Sequence, residues 1–408
     1  MSTFKCKIND HDYYFSDQSV FEDYVKTNKF KSLNIFGSRI SQLPILYDVE
    51  KIDMDFTKIT KLRNIPINLK ILSCRESKIK VISNLPDSLE ELDCTCSNTE
   101  KLILPKNLKK LTCRSNNLVD LDLPDSLEYL DCSRNKIKNI FHFPKNLKFL
   151  GCSNNNITML IGFNSKIKEL DCSCNNLKIL NDLPDSLEDL DCSSNKLTCL
   201  RDLPKSLRLL ECNHNELTYL CVPSGTTTVN CIYNNLTEID GNLLLLEHFE
   251  CEHNKITSLI IPSLLREFNC SYNRIEKLNN FPECLERLFC GNNKITDLVN
   301  LPKKLSHLDC SSNCLEKIEF PDSLTYLQCE NNKITELKNL PQKLTCLRCS
   351  GNPITELNIS KTDIVILQCR NCPIKEINVI PSIRNLYYDK KTKIKGNTKK
   401  IRLLLSYD

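Results

Sequence analysis

Sixteen cysteines divide this chain at near-constant intervals: Cys74, Cys94, Cys113, Cys132, Cys152, Cys172, Cys192, Cys212, Cys231, Cys251, Cys270, Cys290, Cys310, Cys329, Cys349 and Cys369, every step being 19 or 20 residues. Around each rung the chain usually has leucine five and two residues before and an apolar residue five and eight after, as in Leu127-Glu128-Tyr129-Leu130-Asp131-Cys132-Ser133-Arg134-Asn135-Lys136-Ile137-Lys138-Asn139-Ile140. A unit this short cannot bury its own apolar side chains, so the core exists only between stacked neighbours and the chain must be a repeat solenoid. Ile35 and Met54 hold the phase before the first cysteine and Tyr388 after the last, which gives about nineteen turns over residues 31–390.

The alternation within each unit defines a short strand. Leu130 and Cys132 point to one face, and Tyr129, Asp131 and Ser133 to the other. Stacked units then form one long parallel β-sheet with strands about 4.8 Å apart. Asparagine stands three residues after the rung in thirteen turns, Asn116 through Asn352. Buried there, its amide can satisfy backbone groups beyond the strand pairing, each of which costs about 1–3 kcal/mol if left unmet. Proline stands eight residues before the rung in thirteen turns, as in Leu183-Pro184-Asp185-Ser186-Leu187. It blocks a helix and favours an extended or polyproline segment.

The unit L-x-x-L-x-C-x-x-N-x-I-x-x-I resembles the leucine-rich repeat with cysteine replacing the third leucine. In its short period it is similar to the arrays of secreted bacterial effectors and of putative leucine-rich-repeat proteins of giant DNA viruses. Richness in lysine, asparagine and isoleucine suits an AT-rich genome of the latter kind. The resemblance covers most of the chain. It implies a leucine-rich-repeat horseshoe with the parallel sheet on its concave face, extended, polyproline or 3-10 segments on its convex face, and macromolecular recognition by the sheet. Some effectors of this class add a large C-terminal ubiquitin-ligase domain with a nucleophilic cysteine. Fewer than twenty residues follow the last turn here, so only the recognition half is expected.

Twenty-five cysteines in a long chain, an odd number, do not read as a disulfide framework. A rung cysteine reads as a small buried hydrophobe. Disulfides between adjacent rungs lie within Cα reach, but side chains pointing the same way would need a strained dihedral. Zinc is suggested by Cys94-Thr95-Cys96 and Cys172-Ser173-Cys174, yet no C-x-x-C pairs with histidines at zinc-finger spacing. The expectation is a ladder of reduced thiols with no metal and no cofactor. No signal-type run opens the chain and no stretch of eighteen apolar residues occurs, which reads as a soluble protein of a reducing, cytoplasmic compartment.

Net charge is +4, from 55 basic and 51 acidic residues scattered together, so neither nucleic acid nor membrane is expected as a partner. Glycine-rich phosphate loops, G-x-S-x-G and H-E-x-x-H are missing from the sequence. Ser133, Ser153, Ser173 and Ser193 recur as repeat filler with no fixed histidine, and no enzyme is expected.

Residues 1–30 read as an N-terminal cap. Phe4–Ile8 and Tyr13–Phe15 flank Asn9–Asp12 as a hairpin, and Ser19 with Glu22 forms a capping box opening a short helix with Phe21, Tyr24 and Val25 inward. At the other end the repeat decays after Ile377, and residues 391–408 read as a basic capping tail.

Outward positions lie three and one residues before each rung and one and two after it. In mid-array they are acidic: Glu169, Asp171, Asp189, Asp191, Glu211, Glu250 and Glu252. The column two after the rung runs His214, Tyr233, His253, Tyr272, with His248 on the same face. Asp171, Asp191, Glu211, His214, Tyr233, His248, Glu250, His253 and Tyr272 are therefore the candidate partner-binding residues, suited to a basic or aromatic protein surface. The same rings could instead ladder against one another to support the sheet. Histidines beside carboxylates are expected to hold their protons more readily. The expected function is a monomeric, non-enzymatic protein-binding scaffold; the alternative is a structural component that self-associates through its sheet edges or caps.

Overall fold

The computed structural model describes residues 4–163, 166–241 and 243–405. The chain divides into two units, Met1–Thr198 and Cys199–Asp408. Each is a parallel β-solenoid.

The first unit opens with a hairpin of β1 (Phe4–Ile8) and β2 (His11–Phe15). Its turn is the pair Asn9 and Asp10, with φ of 47° and 67°, residue types that tolerate the left-handed region a two-residue hairpin requires. Helix α1 (Gln18–Thr27) follows. Its N-cap is Asp17, whose carboxylate accepts from Val20 N at 3.1 Å, and Ser19 donates to Asp17 instead of capping the helix. Phe21 and Val25 are buried, and Phe21 meets Phe15 with ring centroids 5.3 Å apart.

Strand β3 (Ser32–Asn34) pairs antiparallel with β1 and parallel with Lys51–Asp53, so the hairpin closes the end of the array. From there three-residue strands stack in exact phase with the sequence: Leu72 faces Leu92, Leu92 faces Leu111, Leu111 faces Leu130, Leu130 faces Leu150 and Leu150 faces Leu170. The second unit repeats this from Leu209–Glu211 onward. Its sheet runs past the boundary expected at residue 390. Arg402–Leu405, in the segment expected to be a capping tail, pairs parallel with Asn385–Tyr388, and Arg370 Nη2 donates to Leu404 O and Leu405 O at 3.3 and 2.9 Å. Residues 406–408 of that tail, and 1–3 of the cap, lie outside the described residues.

Every rung cysteine is buried, and no disulfide links any of the twenty-five. Burial drives the thiols of Cys74, Cys113 and Cys152 far above the ordinary range, so they stay protonated and behave as small hydrophobes. The asparagines do what their spacing implies. Asn175 Nδ2 donates to Cys152 O, Cys172 O and Ser173 O at 3.0, 3.1 and 3.1 Å, and its Oδ1 accepts from Ile157 N at 3.0 Å. The proline segments close a four-residue turn in which Leu187 N donates to Pro184 O at 3.0 Å. The serine beside it completes the joint: Ser186 Oγ donates to Ile167 O, one turn back, at 2.8 Å.

Four residues before each rung the first unit carries a charge, alternating in sign from Lys31 to Lys148 and continuing with Lys168 and Glu188. Glu50 bridges Lys31 and Lys70 at 2.7 Å each, Glu90 meets Lys109 at 2.8 Å, Glu128 meets Lys148 at 2.7 Å and Glu188 meets Lys168 at 2.7 Å. The two lysines hold the Glu50 carboxyl down to about 2, Lys31 contributing most. These pairs tie neighbouring turns at the surface, where each contributes little to stability.

Candidate functional site

The position two after the rung is where each turn leaves its strand, and it takes the left-handed conformation. Values of φ are 53° at His214, 52° at Tyr233, 55° at His253 and 57° at Tyr272. This backbone is uncommon for bulky residues. It aims successive side chains along one column, and the rings stack: His214–Tyr233 at 4.6 Å and 17°, Tyr233–His253 at 4.1 Å and 12°, His253–Tyr272 at 4.2 Å and 10°. Inner ring faces are covered by neighbours, while Tyr233 and Tyr272 stay 47% and 50% exposed. The sheet ladder and the exposed anchor are therefore the same group of residues.

Burial within the stack lowers the pKa of His253 from its ordinary 6.5, against the expectation that nearby carboxylates would raise it. Desolvation is the cause of that shift. Glu252 is itself half-buried with its pKa raised by desolvation, and its Oε2 has no hydrogen-bond partner.

The candidate residues fall in both units. Asp171 and Asp191 belong to the first unit, and Glu211, His214, Tyr233, His248, Glu250, His253 and Tyr272 to the second. Asp171 Oδ1 accepts from Ser173 N and Oγ at 3.0 and 2.6 Å, and Asp191 Oδ1 from Ser193 N and Oγ at 2.9 and 2.6 Å. These carboxylates cap the strand exits, and the serines that read as filler are their donors.

Sequence reasoning missed a break in the second unit's sheet. Strands His248–Glu250 and Glu267–Asn269 share only the pair Glu250 and Asn269, whereas Glu267–Asn269 and Arg287–Phe289 are paired throughout. Elsewhere the residues entering a strand donate to the turn before, as Glu286 N and Arg287 N do to Arg266 O at 2.8 and 3.1 Å. Among the described residues no such bond joins Arg266 or Glu267 to Glu247 O. Phe249 and Phe268 stand where most other turns have leucine, buried, with ring centroids 5.9 Å apart. Beside them, where the pairing is incomplete, lies a cleft of about 740 Å³ lined by Glu247, His248, Glu250, Leu264 and Arg266. Phenylalanine at consecutive core positions was the available signal. Among the described residues no cluster of histidine, cysteine, aspartate and glutamate is placed to hold a metal ion, and no helix is long and apolar enough to cross a membrane.

No family model matches the sequence, and no curated protein does. Solved structures do. YopM from Yersinia enterocolitica WA-314 is 28% identical with a TM-score of 0.69, over 90% of this chain and 93% of that one. YopM from Yersinia pestis, a leucine-rich effector protein, is 29% identical with a TM-score of 0.58, over 75% of this chain and 89% of that one. The functional domain of InlJ from Listeria monocytogenes, which includes a cysteine ladder, is 29% identical with a TM-score of 0.59, over 76% of this chain and 69% of that one. The fold is that of leucine-rich-repeat proteins.

Proposed function

We propose that this leucine-rich-repeat solenoid is a non-enzymatic scaffold that binds a protein partner on the strand face of its second unit, at His214, Tyr233, His248, Glu250, His253 and Tyr272, with Glu211 beside them. The observation that carries this is the exposed ring stack running past the Glu250 carboxylate. Glu250 is exposed and makes no ion pair among the described residues. Aromatic anchors beside uncompensated charge are what protein interfaces use for affinity and for steering. Acidity on this face disfavours nucleic acid, whose phosphates need cations. Reduced thiols support a reducing, cytoplasmic setting.

Capture of partners on the immobilised full chain, run beside Tyr272→Ala, tests the reading. Tyr272 ends the stack and loses a single ring contact, so the variant is expected to keep its fold and lose at least about tenfold in affinity, as anchor residues do. Unchanged binding by that variant would move the interface to the caps or the back of the solenoid. Light scattering on the purified chain separates the scaffold from a self-associating structural component, for which an open-ended oligomer is expected in place of a monomer.

A further inference from the structure

The cleft beside Phe249, where strands His248–Glu250 and Glu267–Asn269 are incompletely paired, has a chemistry of its own. On one side, Glu247 O has lost the two N–H donors that the equivalent carbonyl, Arg266 O, receives from Glu286 and Arg287. On the other, the N–H groups of Arg266 and Glu267 lack the carbonyl that the equivalent groups of other turns reach. The charged side chains divide in the same way. Arg266 is matched by Glu286 at 3.0 Å and Glu267 by Arg287 at 2.9 Å, both on the following turn. Glu247 and Glu250 make no ion pair among the described residues, and both are exposed at the cleft. Leu264 and Phe249 supply an apolar wall.

A group that fits must bring several donors and no acceptor to Glu247 O and two carboxylates, an apolar stem to Leu264, and backbone carbonyls to two N–H groups. We infer that the cleft takes an arginine side chain from an extended segment of the partner protein. A guanidinium offers five N–H donors in a planar fork and no acceptor, and its three-methylene stem packs on apolar surface. The segment's carbonyls meet Arg266 N and Glu267 N. His253 and Tyr272, stacked at 4.2 Å, belong to the same two turns, and the flanking residues of the segment meet their exposed edges. A lysine would bring a point charge without the fork. The inference rests on the protein-binding reading above and specifies the chemistry of that face.

The test uses the full chain with a fluorescent hexa-arginine peptide, followed by anisotropy at fixed ionic strength, with hexalysine as comparison. Hexa-arginine is expected to bind about tenfold more tightly than hexalysine, the equivalent of about 1.4 kcal/mol. The pair Glu247→Gln and Glu250→Gln, both exposed positions that leave the core untouched, is expected to remove at least about tenfold of that affinity. Phe268→Leu restores the residue found at most other turns and is expected to close the ladder and abolish the preference for arginine, with its melting curve confirming the fold. Equal binding of the two peptides, or binding indifferent to all three substitutions, overturns the inference. A captured protein that needs Tyr272 but binds the Glu247→Gln and Glu250→Gln chain as tightly as the native one also overturns it, while leaving the strand-face reading intact.

Discussion

Replacing Asn175 by leucine removes a side chain that makes one turn fast to the next. Nδ2 carries two hydrogens, enough to satisfy Cys152 O at 3.0 Å and Cys172 O at 3.1 Å, and Oδ1 accepts from Ile157 N at 3.0 Å. All three backbone groups belong to buried residues. Leucine, branched in the same way, leaves them unmet, at about 1–3 kcal/mol each, while its own burial returns about 2 kcal/mol, so the net loss is about 1–7 kcal/mol with about 4 as the central value. Asn156 is an exposed asparagine whose backbone N–H, and not its side chain, bonds Ile137 O, so Asn156→Ala is the control and should stay within about 0.5 kcal/mol. Urea unfolding of the two variants beside the native chain reads the difference as a shift in midpoint at constant slope. A loss below about 0.5 kcal/mol for Asn175→Leu, matching the control, would refute the argument that the asparagine column joins the turns.

Native labelling with a thiol reagent should reach Cys174 and Cys221, with slower reaction at Cys96, Cys199, Cys284 and Cys314, while denaturation exposes all twenty-five; mass spectrometry of labelled peptides checks the assignment, and rapid labelling at Cys132 or Cys192 would contradict it. Tyr233→Ala removes ring contacts at 4.6 and 4.1 Å and should cost about 1–3 kcal/mol in a urea melt, since each stacked pair contributes about 0.5–1.5. His253 has a folded pKa below its unfolded 6.5, so the folded chain binds fewer protons; its contribution is full above pH 6.5 and is lost as pH falls through the folded value. Glu252, raised by burial, acts in the opposite sense, so the comparison is made in a Glu252→Gln background: between pH 7.5 and 5.5 the melting temperature should fall further with histidine at 253 than with phenylalanine, and parallel curves would show that the ring is not desolvated.

What was legible in the sequence was whatever repeats. The period fixes the strand, the rung and the inward leucines, and the asparagine column follows from its burial, because each is confirmed by many turns at once. Features that occur once were not legible in that way. Asp17 caps the first helix although Ser19 with Glu22 matches a capping box, because either residue fits the local pattern and the chain entering from β2 chooses between them. Arg370 ties down Leu404 and Leu405 from more than thirty residues away, a contact no local pattern announces. The final Leu403-Leu404-Leu405 lies in the segment read as a basic capping tail, and Arg402–Leu405 supplies one more strand. The alternating charges at Lys31, Glu50, Lys70, Glu90 and Lys109 were in plain view, four residues before each rung, in a column outside the outward positions considered. Phe249 and Phe268 were visible as substitutions of leucine, but the incomplete strand pairing beside them is a pairwise feature that no local pattern announces. The strand face that carries the candidate residues was therefore readable, and the incomplete pairing of His248–Glu250 with Glu267–Asn269 was not.

Hydrogen–deuterium exchange on the full chain, with and without a captured protein partner, tests the central claim most directly. Binding on the second unit's strand face should slow exchange in the peptides that hold His248–His253 and Glu267–Tyr272, including the amides of Arg266 and Glu267, and leave the hairpin Phe4–Phe15 and the strand Arg402–Leu405 unchanged. Protection confined to the hairpin, to the last strand or to the proline turns on the other side of the solenoid, with none between residues 248 and 272, would contradict it.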